Sequence, residues 1–153
     1  MSNQGSQVPL EGDPPGRILG LDVGTKRIGL AVSDPLGVTA QGLETLQRQN
    51  KRLDFEQLAK VIRDYDVRQI VVGNPLRMSG ESGPQADRMA LFAEELRRRF
   101  QLPVHLWDER LTSVQANRLL RETELSIQRR AQAVDRMAAV LILQSWMEAR
   151  GSR

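Results

Sequence analysis

The sequence predicts an α/β fold: a mixed five-stranded sheet, made of a three-strand antiparallel meander and two parallel strands, flanked by helices. Three observations carry this. Two β-branched-rich apolar runs near the N-terminus are separated only by Gly24-Thr25-Lys26-Arg27, which reads as a hairpin. Two further short apolar runs follow, each preceded by a stretch with apolar residues at helical spacing. The last third ends in a long segment whose apolar content suits a packed helix.

Taken in order, Ile18–Val23 and Ile28–Ser33 are the first two strands, and Val38–Leu46, entered through the Pro35–Gly37 turn, is the third. Phe55, Leu58, Ala59, Ile62 and Tyr65 recur at helical spacing and predict a helix over Leu53–Asp64. Gln69–Gly73 is a continuous apolar strand of the kind buried on both faces of a parallel sheet. Ser82-Gly83-Pro84 marks the start of the next helix, because proline is tolerated in a first turn. Ala86, Met89, Ala90, Ala93 and Leu96 form its apolar stripe, and Arg97-Arg98-Arg99 its basic last turn. Val104–Trp107 is the fifth strand. Thr112 or Ser113 can cap a short helix to Arg121, and the polar stretch Glu122–Arg130 leads to a final helix, Ala131–Met147.

Composition narrows the function. The chain has 153 residues, 40% apolar and 27% charged, as expected of one soluble domain. Residues 1–16 are rich in Gly, Pro, Ser and Gln and read as a disordered tail, so the folded domain is expected over 17–150. There is no cysteine, which excludes disulfides, thiolate metal sites and thiol catalysis, and suits a cytoplasmic protein. The single histidine, His105, argues against a histidine-based zinc site or a Ser–His–Asp triad. No apolar run approaches the roughly 20 residues of a membrane span. The net charge of +3 is compatible with a polyanionic partner.

Three acids stand out. Asp22 lies inside an apolar strand, and strand alternation puts it on one face with Ile18, Gly20 and Gly24. Gly29, Ala31 and Ser33 extend that low-relief strip on the partner strand if the hairpin pairs in register. The glycines are expected to clear space for a phosphate backbone. The alternative is a strand-end aspartate capping the turn through Thr25. Asp108 and Glu109 follow the fifth strand, at the carboxyl end where α/β sheets place ligands, although an acid there also suits a helix N-terminus. Asp135 shares a face of the last helix with Ala131, Ala138, Ala139 and Ile142. Such an acid should be neutralised, paired or metal-bound, and Arg129 or Arg136 could pair with it.

Three carboxylates from three elements, without His or Cys, suggest hard oxygen ligands for Mg²⁺ or Mn²⁺, one or two ions. Such clusters support metal-assisted phosphodiester hydrolysis. Lys26, Arg27, Arg77, Arg110 and Arg136 lie near the acids or in the glycine-rich loop and are candidate phosphate contacts.

These residues fall in four ordered blocks: "ILGLDVGTKRIGLAVSD", "VVGNPLRMSGESGPQA", "LWDERLTSVQA" and "AVDRMAAVLILQ". Together they resemble the YqgF (RuvX) family, described both as Holliday junction resolvases and as pre-16S rRNA processing nucleases. The similarity runs from about Arg17 to Met147. It implies an RNase H-like fold and a divalent-metal nuclease site, with Asp22, Glu109 and Asp135 at the family's acidic positions. Asn74, where the family pattern has a bulky apolar residue, and "LTS" for the commoner "LTT" depart from that pattern. The resemblance implies hydrolysis of structured nucleic acid, in processing the 5′ end of precursor 16S rRNA. The alternatives are a Holliday junction resolvase, for which a homodimer would match two symmetric scissile strands, and a non-catalytic nucleic-acid-binding module, which loss of a carboxylate would mark. An actin- or sugar-kinase-like ATP-binding domain opens with a similar hairpin, but no second Asp-x-Gly strand follows Gly73.

Overall fold

The computed structural model describes residues 16–75, 83–111 and 128–151, with side chains of the last helix from 134 onward. Along the chain come β1 (Arg17–Val23), β2 (Arg27–Ser33), β3 (Ala40–Gln47), α1 (Lys51–Tyr65), β4 (Val67–Asn74), α2 (Pro84–Phe100) and β5 (Val104–Asp108). A single 3-10 turn (Glu109–Leu111) and the long α3 (Gln128–Gly151) complete the described part. The sheet order is β3-β2-β1-β4-β5. β1, β2 and β3 pair antiparallel, while β1–β4 and β4–β5 are parallel. The five predicted strands and their mixed directions are all present. The tail apart from Gly16, the loop around Arg77 and the predicted helix after Thr112 lie outside the described residues.

Where element bounds differ from expectation, a side chain explains most of it. β3 starts at Ala40 and not at Val38 because Asp34 holds the preceding residues in a turn. Its Oδ1 accepts from the N–H groups of Val38 and Thr39 at 2.7 and 2.8 Å, and its Oδ2 from that of Leu36 at 3.3 Å. Burial alone would raise the Asp34 pKa, but the Thr39, Val38 and Leu36 amides outweigh it and hold the carboxyl below its ordinary value. α1 starts early because Asn50 caps it, accepting from Leu53 N–H at 2.9 Å. It ends on Asp66 in the left-handed conformation, φ 53°. α2 opens with Gly83 as N-cap and Pro84 in its first turn. α3 begins at Gln128, inside the stretch expected as a polar connection, since its first turn has no apolar periodicity to announce it.

Strand alternation divides the interior into two layers. One face of the sheet carries Leu19, Leu21, Ile28, Leu30, Val32, Ile70 and Val72, packed against Phe55 and Leu58 of α1 and Ala93 and Leu96 of α2. The other carries Ile18, Ala31 and Val71 under Ala138, Ala139, Ile142, Leu143 and Trp146 of α3. Each fully buried aliphatic side chain contributes roughly 1.5–3 kcal/mol, so the first layer, with more and larger side chains, is the main source of stability. No helix among the described residues is long and apolar enough to cross a membrane.

Candidate active site

The second layer is thin by design of its side chains. Gly20 of β1 lies beneath α3, where an added Cβ would stand 2.9 Å from Leu143 Cβ and 3.3 Å from the Ala139 carbonyl oxygen. At Gly29 of β2 a Cβ would overlap the backbone carbonyl of Asp135. At Gly73 of β4 it would stand 2.6 Å from Ile142 Cδ1 and 2.7 Å from Glu109 Oε2. At each of the three glycines the nearest contact is shorter than a real Cβ tolerates. The glycines therefore make room for α3 and for Glu109. At Gly20 and Gly29 this corrects the expectation that the strip clears a path for a phosphate backbone, because the backbone of α3 already lies there; Gly24, the other glycine of the strip, meets only the Arg27 carbonyl oxygen.

This arrangement brings the three predicted acids to one end of the sheet. Asp22 faces α3, two residues along the strand from Gly20, and its cross-strand partner is Gly29, the glycine on which Asp135 rests. On its other side Leu21 pairs with Val72, so the next residue of β4 is Gly73, over which Glu109 folds its carboxylate. Glu109, Asp22 and Asp135 thus stand over β4, β1 and β2, three adjacent strands. All are buried, at 1%, 4% and 5% exposure, whereas ordinary acidic side chains stay in water.

Glu109 and Asp135 are each held from outside. The turn bearing Glu109 is fixed by Ser145 of α3, whose hydroxyl accepts from Trp107 Nε1 at 3.0 Å and donates to the Leu111 carbonyl at 3.3 Å. Asp108 closes the same turn, accepting from the Arg110 N–H at 2.9 Å and from the Arg110 guanidinium at 2.6–3.1 Å. The Arg110 hydrogen bonds hold Asp108 below its ordinary carboxyl pKa despite some burial. Asp135 Oδ2 accepts from Arg27 Nε at 2.7 Å. Arg27 comes from the β1–β2 hairpin, 108 positions away; Arg136 donates to the Leu43 carbonyl, and the side chain of Arg129 lies outside the described residues.

The donor set, buried carboxylate oxygen, suits Mg²⁺ or Mn²⁺. The spacing is not that of a ready metal shell: among the described residues no three carboxylate or imidazole groups stand close enough together to hold an ion. Asp135 takes its counter-charge from Arg27 instead.

Of the candidate phosphate contacts, Lys26 is exposed in the hairpin turn. Arg27 is on Asp135 and Arg110 on Asp108. Arg136 lies across Gly42 and donates to the Leu43 carbonyl at 3.1 Å. Arg77 lies outside the described residues. Beside Glu109, at the carboxyl ends of β1 and β4, opens a cleft of about 1180 Å³ between α1 and α2, whose lining includes Gly24, Thr25, Pro75 and Glu109 but neither Asp22 nor Asp135. Of its lining cations, none of which was a candidate phosphate contact, Arg48, Lys51 and Arg98 are paired with Asp54 or Glu95, and the exposed Arg88 lines it as well. Asp54, buried at 2% between Arg48 and the Gln49 N–H, was also missed. Its only local signal is an acid four residues into a helix start.

A meander continued by two parallel strands, with helices on both faces, is the RNase H-like fold, and solved structures bear this out. The RuvC of Thermus thermophilus in complex with Holliday junction substrate superposes with TM-score 0.53 at 16% identity, over 90% of this chain and 96% of that one. The yeast mitochondrial Holliday junction resolvase Ydc2 does so with TM-score 0.51 at 13% identity, over 95% and 83%. The model of the RuvX family, described as "Holliday junction resolvase", matches residues 16–149, and the chain belongs to that family. Its relatives include proteins named "Putative pre-16S rRNA nuclease". The one from Koribacter versatilis is 60% identical over 136 residues, 89% of each chain. The one from Moorella thermoacetica is 51% identical over 135 residues, 88% of this chain and 96% of that one. Both kinds of name denote a nuclease acting on nucleic acid.

Proposed function

We propose that the protein is a divalent-metal-dependent nuclease that hydrolyses phosphodiester bonds of structured nucleic acid, with the 5′ end of precursor 16S rRNA as its substrate. The observation that carries the nuclease chemistry is the gathering of three buried acids, from β1, the β5 turn and α3, over adjacent strands at one end of the sheet. Burying carboxylates is costly, and carboxylate oxygens are the donors that Mg²⁺ and Mn²⁺ prefer. The relatives' names support the rRNA substrate.

Asp22, between the other two, is the central ligand in this reading. Glu109 would hold an ion and orient the attacking water, and Asp135 would complete the set. Bound there, Mg²⁺ or Mn²⁺ supplies an activated water and neutralises charge at the leaving oxygen. The chain's own contribution is the fixed backbone spacing that α3 imposes, together with the cleft from which Glu109 is reached. Lys26 at the hairpin tip is placed to meet a phosphate.

The second reading, a resolvase of four-way DNA junctions, is favoured by the family model's description and by the fold shared with RuvC. One preparation assayed with Mn²⁺ on a precursor rRNA fragment and on a synthetic four-way junction separates the two. Trimming at one rRNA end supports the first, and symmetric paired nicks the second. Asp22→Asn should lower cleavage by roughly 100-fold or more, as loss of a group at the reacting centre does. Equal cleavage by wild type and Asp22→Asn sinks the assignment.

A further inference from the structure

The grip of Arg27 on Asp135 bears directly on how the site would take up its metal. Asp135 is the acid donated by α3. Its carboxylate meets a guanidinium at 2.7 Å, and the two side chains are 19% and 7% exposed for Arg27 and Asp135 respectively. A charge-assisted contact this short and this sheltered from water is among the stronger hydrogen bonds a protein makes. The backbone of Asp135, by contrast, is seated independently: its carbonyl rests on Gly29, and Ala138, Ala139, Ile142 and Leu143 pack the rest of the helix down. Arg27 is not required to hold α3 in place. Its effect falls on the carboxylate itself.

We propose that Arg27 is a positioning residue that acts as an internal cation, occupying Asp135 in the metal-free protein and competing with the divalent ion for it. Metal uptake then requires the guanidinium to leave Asp135. Because Arg27 is about one-fifth exposed and sits at the start of β2 beside the hairpin turn, a rotamer change releases it without opening the sheet. The inference rests on the metal reading of Asp22, Glu109 and Asp135.

The alternative is that Arg27 stays on Asp135 and orients it as an outer-sphere support. The two roles predict opposite signs. A competitor's removal tightens metal binding, because the fraction of protein with Asp135 available rises; a pair formed in nine molecules of ten weakens apparent affinity about tenfold. Loss of an orienting support weakens metal binding, typically about 10–100-fold.

Isothermal titration calorimetry of the full chain with Mn²⁺ reads the sign. Arg27→Gln should bind Mn²⁺ about tenfold more tightly than wild type. Arg27→Lys, which keeps a cation on a shorter arm without the guanidinium fork, should fall between the two and carries the test if Arg27→Gln does not fold. Metal binding that is abolished by Asp22→Asn, yet unchanged or weaker in the Arg27 variants, overturns the inference alone. No Mn²⁺ binding by wild type, or equal binding by Asp22→Asn, overturns the metal reading and this inference with it.

Discussion

The two faces of the sheet are built on opposite rules. Toward α1 and α2 the strands present Leu, Ile and Val, and the layer is thick and apolar. Toward α3 they present Gly20, Gly29, Ala31 and Gly73, and the helix comes down almost onto the strand backbone. All three candidate catalytic acids belong to the second face. Bulk supplies stability where exact distance is unimportant, and its absence supplies a fixed distance where chemistry is proposed. The small residues are therefore as much a part of the site as the acids.

A single carbon atom tests that contrast. Gly29→Ala adds one methyl group where the Asp135 carbonyl already lies, and should destabilise the protein by about 3 kcal/mol, the upper end of ordinary overpacking. Urea unfolding checks the size. Cleavage measured on the fraction still folded should fall as well, because α3 must lift to make room. Full activity per folded molecule would break the link between the thin face and the site.

Ile70→Val removes one methyl group from the thick face, where Ile70 is fully buried. The expected loss is about 1 kcal/mol, with cleavage per folded molecule unchanged. A larger effect on cleavage than on stability would show that the two faces are not separable.

The smallest effect lies at the rim of the thick face. Glu95 of α2 accepts from Arg99 and Arg98, and Lys51 of α1 lies 3.6 Å away. The Arg99 and Arg98 hydrogen bonds lower its pKa from 4.5 to about 2. A carboxyl with a lowered folded pKa stabilises above its unfolded value and loses that contribution as pH falls through its folded one. The stability gap between wild type and Glu95→Gln should be present at pH 7 and should close as pH drops from 4.5 toward 2. Unfolding midpoints measured across that range read it, and a gap independent of pH would remove Glu95 from the account.

Much of this was legible locally. The hairpin around Gly24, the helical spacing of Phe55, Leu58 and Ile62, and the short apolar runs at Gln69 and Val104 are all signals that a few neighbouring residues carry. So is the low-relief strip: alternation alone puts Asp22 with Gly20, and opposite Gly29 once the hairpin is in register. What the strip is for was not legible, because the helix that fills it begins about a hundred residues later. The Arg27–Asp135 pair was hidden for the same reason, and nearby arginines were the natural local candidates. Asp54 escaped because its value lies in a contact with Arg48 that only the β3–α1 turn creates.

α3 crosses the sheet at Gly42, Gly29, Gly20 and Gly73, one glycine on each of four neighbouring strands. At Gly29 and Gly20 helix main-chain atoms are among those an added Cβ would meet, and main chain, unlike a side chain, has no alternative rotamers through which the separation could drift. The interval between Asp22 and Asp135 is set as a gauge block sets a tool: by two hard surfaces brought into contact, with nothing compressible between them.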